Sequence, residues 1–496
     1  MSQPRSRVAI IGGGPGGYEA ALVASQLGAD VTIIEESGLG GSCVLTDCVP
    51  SKTLIATASL MAAMGSTRNL GIRFDHEPGE PAGSGGSGGS GAAGGSGAAG
   101  HLRARADALP TYSHARADAP QIYSRIRALA HAQSADVAKR LAAEGVRVIS
   151  GRGRLAGPGV VAAGDTEIRA DTVLVATGAR PRVLPAAVPD GERLLTCRHL
   201  YDLAELPGEL IVVGSGVTGA EFACAFQALG SQVTLVSSRQ HVLPNEDTDA
   251  AMVVEDVFRR RGMSVLGRSR AVSASRTADG VEVCLQDGRT VRGSHCLLTV
   301  GMVPSTEGIG LAESGVGIDD GGFVTVDRVS RTSTPGVYAA GDCTGVWMLA
   351  SVAAMQGRIA MWHALGEAVQ PLRLRHVAAT IFTEPEIATV GVSQQDVDTG
   401  AVGARVVKLP LATNARAKMD GLSDGFVKLF TRRNTGIVLG GVIVAPRASE
   451  LILGVSLAVE QQLTVDQMAH TFAVYPSLSG SLTEAARKLM RPAGDA

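Results

Sequence analysis

Residues 7–35 read RVAIIGGGPGGYEAALVASQLGADVTIIE, and the fold is decided there. The apolar run Val8 to Ile11 predicts a strand, and Val31 to Ile34 predicts a second. Between them, the Ala-rich segment Tyr18 to Leu27 is helix-prone. Gly12, Gly14 and Gly17 stand at the three glycine positions of a GxGxxG turn joining strand to helix. Such glycines let the chain turn tightly and bring backbone N–H groups to a pyrophosphate at the helix N-terminus. Glu35 closes the second strand, 18 residues past Gly17, where a carboxylate accepts hydrogen bonds from a ribose diol. A lone GxGxxG is a weak sign; strand, helix and acid at this spacing make it a specific one.

The pattern returns at 210–236. Leu210 to Val213 predicts a strand, Gly214 to Gly219 a turn, Glu221 to Leu229 a helix and Val233 to Val236 a strand. The glycines are Gly214, Gly216 and Gly219. Two βαβ units imply two nucleotide-binding domains. In the second unit the acid is missing, and the strand runs into Ser237, Ser238 and Arg239. Serines and an arginine suit a 2′-phosphate that a carboxylate would repel, so NADPH is expected to be accepted.

A third motif, GSCVLTDCVPSK, runs from Gly41 to Lys52. Four residues separate Cys43 from Cys48. In a regular helix five steps put the Cα atoms about 8 Å apart, beyond the ~7 Å a disulfide tolerates. A bridge therefore requires distorted backbone, for which Gly41 and Pro50 provide an opening. A helix N-terminus and the Lys52 ammonium would favour the thiolate.

The remaining sequence bounds these readings. The chain has 496 residues, room for roughly three or four domains. Lys and Arg number 45 and Asp and Glu 47, so the net charge of −2 argues against nucleic acid as a partner. An apolar fraction of 45% against 19% charged residues marks a globular chain. No run reaches the roughly 18 apolar residues of a membrane helix. The apolar N-terminus is broken by Gly12 to Pro15 and has no small-residue cleavage site, so it does not read as a signal peptide. Cys197, Cys224, Cys284, Cys296 and Cys343 read as small buried hydrophobes in a reducing cytoplasm, and no metal is called for. Residues 79–100 are a Gly/Ser/Ala-rich linker, expected as an exposed loop that continues from His101 to Pro120. A helical pattern runs from Gln121 to Glu144. Towards the C-terminus, strands (Ala378 to Phe382, Phe426 to Phe430, Ile437 to Val444) precede helices (Ser449 to Gln461, Ser481 to Met490), the order of an α+β domain.

GGSCVLTDCVPSK preceded by GGGPGGYEAA resembles the active-site region of the pyridine nucleotide-disulfide oxidoreductases, the dihydrolipoamide dehydrogenase group. Further matches follow in order: Ala176-Thr177-Gly178, TVGMVPST around Gly301, GVYAAGDC with Asp342, and FTEPEIATVG from Phe382. They cover the chain apart from about 75–120. The resemblance implies an α/β fold of two Rossmann-like nucleotide-binding domains plus a C-terminal α+β dimerisation domain. The boundaries expected are 1–188 for the FAD domain, with 75–120 a flexible insertion, then 189–308 for the NAD(P) domain. The FAD domain resumes over 309–372, and the interface domain spans 373–496. The resemblance also implies FAD as cofactor, NAD(P)H as co-substrate and a homodimer. By position Cys48 would face the flavin, Cys43 would exchange with substrate, and Lys52 would pair with Glu221. Gly41, Ser42, Gly153, Thr177, Gly178, Gly301, Asp342 and the run Met348, Leu349, Ala350 and Ser351 would contact the cofactors.

The family ends in a His-Pro…Glu pattern that supplies the acid–base for dithiol exchange. Here AVYPSLSG, Ala473 to Gly480, puts Tyr475 at the His position and Gly480 at the Glu position. A tyrosine titrates near ~10 and is a poor base at neutral pH. His470, five residues earlier, reads as a surface or core histidine. TVDRVSRT, AAGDCTG, ASVAAMQGRIAM, TNARAKM and AVYPSLSGS resemble the family's NAD(P)H-quinone dehydrogenase branch, whose members also lack the His–Glu pair. That branch often lacks the first redox cysteine, whereas this chain keeps both. The expected activity is hydride transfer from NAD(P)H through FAD to a quinone-type acceptor, with Tyr475 available as a proton source. The alternative is a dihydrolipoyl dehydrogenase or other small-disulfide reductase. Mercuric reductases carry a C-terminal cysteine pair, and no cysteine follows Cys343. A non-catalytic flavoprotein is disfavoured by the complete cofactor motifs.

Overall fold

The computed structural model describes residues 5–66 and 116–490. The linker 79–100 and most of the expected insertion lie outside the described residues. The chain opens with β1 (Arg7–Ile11), α1 (Pro15–Gln26), β2 (Asp30–Glu35), α2 (Gly41–Leu45) and α3 (Cys48–Ser66). There follow α4 (Ala119–Ala143), β3 (Arg147–Ser150), β4 (Gly153–Gly157), β5 (Val160–Ala163), β6 (Thr166–Arg169), β7 (Thr172–Val175) and β8 (Ala179–Pro181). The second unit holds β9 (Leu194–Leu195), β10 (Glu209–Val213), α5 (Val217–Leu229), β11 (Gln232–Val236), α6 (Thr248–Arg260) and β12 (Ser264–Leu266). A meander β13 (Ala271–Arg276), β14 (Val281–Leu285) and β15 (Thr290–Gly293) leads to β16 (His295–Leu298), β17 (Met302–Pro304), β18 (Val337–Ala339) and α7 (Ala350–Ala364). The C-terminal part is β19 (Ala379–Ile381), β20 (Glu386–Gly391), α8 (Gln394–Asp398), β21 (Ala404–Pro410), α9 (Ala415–Met419), β22 (Phe426–Arg432), β23 (Val438–Ala445), α10 (Ala448–Glu460), α11 (Val465–Ala469) and α12 (Gly480–Leu489).

Two parallel five-stranded sheets result, ordered β18-β7-β1-β2-β3 and β12-β11-β10-β16-β9. Their central strands are apolar on both faces because helices cover both; Val8 to Ile11 and Leu210 to Val213 are buried throughout. Both GxGxxG turns therefore open at the carboxyl ends of the strands, where doubly wound sheets bind ligands. The C-terminal sheet, β19-β20-β23-β22-β21, is antiparallel. Helix α10 packs against it through Ala448, Ile452, Val455 and Val459.

Some expectations move. Helix α4 begins at Ala119, two residues before Gln121, because Asp118 caps it by accepting from Gln121 N at 3.0 Å. Pro120 sits in the first turn, where no N–H is needed, so it starts this helix instead of prolonging the loop. Strands β20 and β21 were not expected. EIATVG and ARVVKLP are short, and each draws its order from long-range pairing, β20 with β23 and β21 with β22.

The parts pack as one body. Leu54 and Tyr123 from α3 and α4 share a core with Leu210, Phe222 and Phe226 of the second unit. On the other side, Lys428 of β22 is nearly fully buried, 2% exposed, and reaches Asp247 and Asp249 at 2.7 Å each. Asp247 also caps α6 through Ala250 N at 3.2 Å. This charge cluster docks the second unit onto the interface sheet. No helix among the described residues is long and apolar enough to cross a membrane.

Candidate functional site

A cavity of about 460 Å³ opens at the carboxyl ends of β1 and β2. The turn after β1 forms its floor. A Cβ on Gly12 would lie 2.3 Å from Ala176 O, and one on Gly17 would lie 1.9 Å from Gly12 O, so only glycine allows the close turn. Gly14 faces open space, with nothing within 4 Å of its Cβ position. Glu35 braces this loop by accepting from Gly13 N at 2.5 Å and Ser37 N at 2.6 Å. Gly12, Gly14, Glu35, Gly41, Ser42, Cys43, Cys48, Gly153, Thr177, Gly178, Asp342, Met348 and Ala350 all line the cavity. Gly17, Gly301, Leu349 and Ser351 are not among its lining residues.

The cysteines sit where α2 gives way to α3, and Thr46 and Asp47 break the helix between them. That break replaces the regular helix in which the pair would stand too far apart. Both are free thiols. The Cys43 thiol is hydrogen-bonded to Cys48; that bond and burial push Cys43 up, whereas the same bond draws Cys48 down against the opposing effect of burial. Lys52, one turn into α3, donates to Glu221 Oε2 of α5 at 2.9 Å and lies 5.1 Å over the Phe382 ring. Burial disfavours the ammonium, but Glu221 and Cys48 outweigh it and keep Lys52 charged. Glu221, 3% exposed, is held in place by Phe382 N at 2.9 Å. The pair bridges the two nucleotide units beside the thiols.

Two residues were overlooked in the sequence. Asp47, between the cysteines, lines the cavity, and burial raises its carboxyl while Lys52 and Arg198 restrain the rise. Arg198 also lines the cavity. An acid inside a CxxxxC loop was itself a readable signal. Asp342 is raised to about 6 by burial first and Asp47 second. No hydrogen bond to its carboxylate is found among the described residues.

That carboxylate fits a flavin dinucleotide. It needs donors such as hydroxyls, the open Gly14 face admits a pyrophosphate, and Glu35 stands at the ribose position of a βαβ unit. Asp342, Glu35 and the glycine loop are the groups that would hold FAD.

In the second unit the turn is built alike, with Gly214 and Gly219 equally closed and Gly216 open. Ser237 corrects an expectation. It is fully buried, and its hydroxyl is engaged by Ser215 Oγ at 2.7 Å and Arg239 N at 3.1 Å. It shapes the loop and is not available to a phosphate, whereas Ser238 and Arg239 are exposed.

Tyr475 lies on the surface, 83% exposed, in the segment between α11 and α12, flanked by exposed Phe472 and Val474. It does not line the cavity of its own chain. Asn414 anchors the end of this segment through Ser477 O at 3.0 Å. His470 caps the end of α11 against Asp466 O at 2.7 Å and does not line the cavity.

Residues 6–357 match the pyridine nucleotide-disulphide oxidoreductase family, and residues 377–486 match its dimerisation domain. An NAD(P)H dehydrogenase (quinone) of Mycobacterium tuberculosis is 53% identical over 98% of this chain and 94% of that protein. A dihydrolipoyl dehydrogenase of Chlamydia pneumoniae is 30% identical over 96% of this chain and 95% of that protein. The crystal structure of LpdA from Mycobacterium tuberculosis superposes with a TM-score of 0.86 at 52% identity, covering 98% of this chain and 100% of that one. The HOCl-induced flavoprotein disulfide reductase RclA of Escherichia coli shares the fold at a TM-score of 0.80 and 22% identity, over 97% of this chain and 99% of that one.

Proposed function

The chain belongs to the pyridine nucleotide-disulphide oxidoreductases, and on that premise we propose an NAD(P)H dehydrogenase that delivers reducing equivalents to a quinone. FAD, when bound, supplies the two-electron relay between nicotinamide and acceptor. The chain's own residues do the rest. The first glycine loop, Glu35 and Asp342 hold the flavin dinucleotide, and the second loop takes the pyridine nucleotide. Glu221 holds the Lys52 ammonium between the two, a cationic donor suited to negative charge that develops on reduction. Cys43 and Cys48 adjoin as a hydrogen-bonded dithiol, which can hold two electrons and release them on closing to a disulfide.

One observation carries the choice of acceptor: Tyr475 and Gly480 stand where a disulfide reductase needs its His and Glu. General acid–base help is worth ~10²–10⁴-fold, and dithiol exchange needs it. A quinone needs no thiol base. The retained Cys43–Cys48 pair supports the second reading, a dihydrolipoyl dehydrogenase or other small-disulfide reductase, and the 30% identical relative supports it less than the 53% identical one. The dimerisation domain and the exposed Phe472–Tyr475 strip support a homodimer in which Tyr475 lies opposite Cys43 of the other subunit. Seven free thiols accord with a cytoplasmic setting.

The test is NAD(P)H oxidation by the purified holoprotein with menadione and oxidised lipoamide in parallel. Menadione turnover is expected to exceed lipoamide turnover by about 100-fold or more. Comparable lipoamide turnover overturns the quinone reading and makes the thiol pair the working centre.

A further inference from the structure

The ends of β11 and β12 lie side by side, because Val236 pairs with Leu266. Beyond the strands the two segments stay joined: Ser237 N donates to Leu266 O at 2.9 Å, Arg268 N to Arg239 O at 2.7 Å and Ser269 N to Ser237 O at 2.7 Å. Gly267 permits this approach, since a Cβ there would lie 2.6 Å from Gln240 O. Arg268 is held in left-handed backbone, φ 52°, unusual for a residue with a side chain. Strain of that kind persists where the surroundings impose it, often at a ligand clamp.

Three arginines therefore converge on one edge of the second unit: Arg239 after β11, and Arg268 and Arg270 after β12. All are exposed, and none forms an ion pair with a carboxylate among the described residues. The carboxylates around them are engaged elsewhere. Glu255 accepts from Val242 N at 3.0 Å and pairs with Arg259. Asp287 pairs with Arg289, whose other contact is Ser269 Oγ. Ser237, the strand-end residue, is neutral and already bonded. The edge is thus an unneutralised positive patch at the position where a βαβ unit presents the adenosine ribose.

We propose that Arg268 and Arg270, with Arg239, bind the 2′-phosphate of NADPH, so that the second unit selects NADPH over NADH. The determinant spans two strands, and Arg268 supplies what the loop after β11 lacks. Guanidinium forks match phosphate oxygens in a way a single ammonium does not. The proposal rests on the reading that this unit takes the pyridine nucleotide, and it is independent of the acceptor.

The test is calorimetric binding of adenosine 2′,5′-bisphosphate and of 5′-AMP to the FAD-loaded protein; the two differ only in the 2′-phosphate. The bisphosphate is expected to bind at least tenfold more tightly. Arg268→Gly suits the left-handed backbone and should fold, with bound-flavin absorbance as the check. It is expected to cut that preference about tenfold, the scale of one charge-assisted hydrogen bond, with 5′-AMP binding unchanged. Arg239→Ala should act in the same sense, and Arg268→Lys should recover part of the loss. Equal binding of the two nucleotides by the native protein overturns the proposal, as does an unchanged ratio in Arg268→Gly. Binding of neither overturns the nucleotide reading of the unit and the proposal with it.

Discussion

The first and second βαβ units share a backbone and differ in one link. A Cβ at Gly12 or Gly214 would meet a carbonyl oxygen at 2.3 Å, and one at Gly17 or Gly219 would meet a carbonyl oxygen at 1.9 Å. Gly14 and Gly216 are open in both. The turn is tied to the end of the second strand in each unit, but by different chemistry. In the first, Gly13 N donates to the Glu35 carboxylate at 2.5 Å. In the second, Ser215 and Ser237 join hydroxyl to hydroxyl at 2.7 Å. The cradle for a pyrophosphate is therefore generic, and the sign of charge at the ribose end distinguishes the two. A carboxylate suits a free diol, whereas a neutral link beside three arginines suits a phosphate.

The largest effect should come from closing one cradle at a time. Gly12→Val is expected to yield protein with little bound flavin. Gly214→Val should stay yellow and lose the rate of flavin reduction by NADPH about 100-fold, the scale of a misplaced reactant. Flavin absorbance and stopped-flow reduction separate the two. Equal loss of flavin in both variants would mean that the units are not independent. A smaller change should follow from transplanting the link. Ser215→Gly with Ser237→Glu imports the first unit's acid, and the ratio of kcat/KM for NADPH over NADH should fall about tenfold, since like charges oppose the phosphate. An unchanged ratio would locate selectivity elsewhere.

The effect at Asp342 falls on stability and leaves cofactor choice aside. Its carboxyl is raised from 3.8 to about 6 in the fold, so the folded chain holds this proton more tightly than the unfolded one. The group therefore costs stability that builds as pH rises through that window, at most about 3 kcal/mol above it. Flavin-free Asp342→Asn should melt a few degrees higher than the native apoprotein at pH 8, and the gap should close below pH 4. Thermal melts across pH check this; a gap independent of pH would refute it.

The glycine turns were legible because a backbone constraint is written directly as residue identity: nothing but Gly fits at Gly12 or Gly214. The Cys43–Cys48 loop and Lys52 were legible for a similar reason, since their spacing carries the chemistry. Ser237 was misjudged because its burial depends on Ser215, 22 residues away, and no local pattern reports that contact. Arg268 escaped notice because only the register of β12 against β11 brings it beside Arg239. Strands β20 and β21 were missed for the same cause, order drawn from distant partners. Asp47 could have been found, since a carboxylate between two redox cysteines is visible in the sequence.

The buried Lys428–Asp247 contact, with side chains 2% and 3% exposed, bears on how such chains can be recombined. Removing one member of a buried pair commonly costs ~3–5 kcal/mol, because the other charge stays behind unmatched. Positions 247 and 428 must therefore match each other although they lie in different domains. A chimera taking 209–298 from one relative and 377–486 from another must carry a matching pair at its seam, however well each half folds by itself.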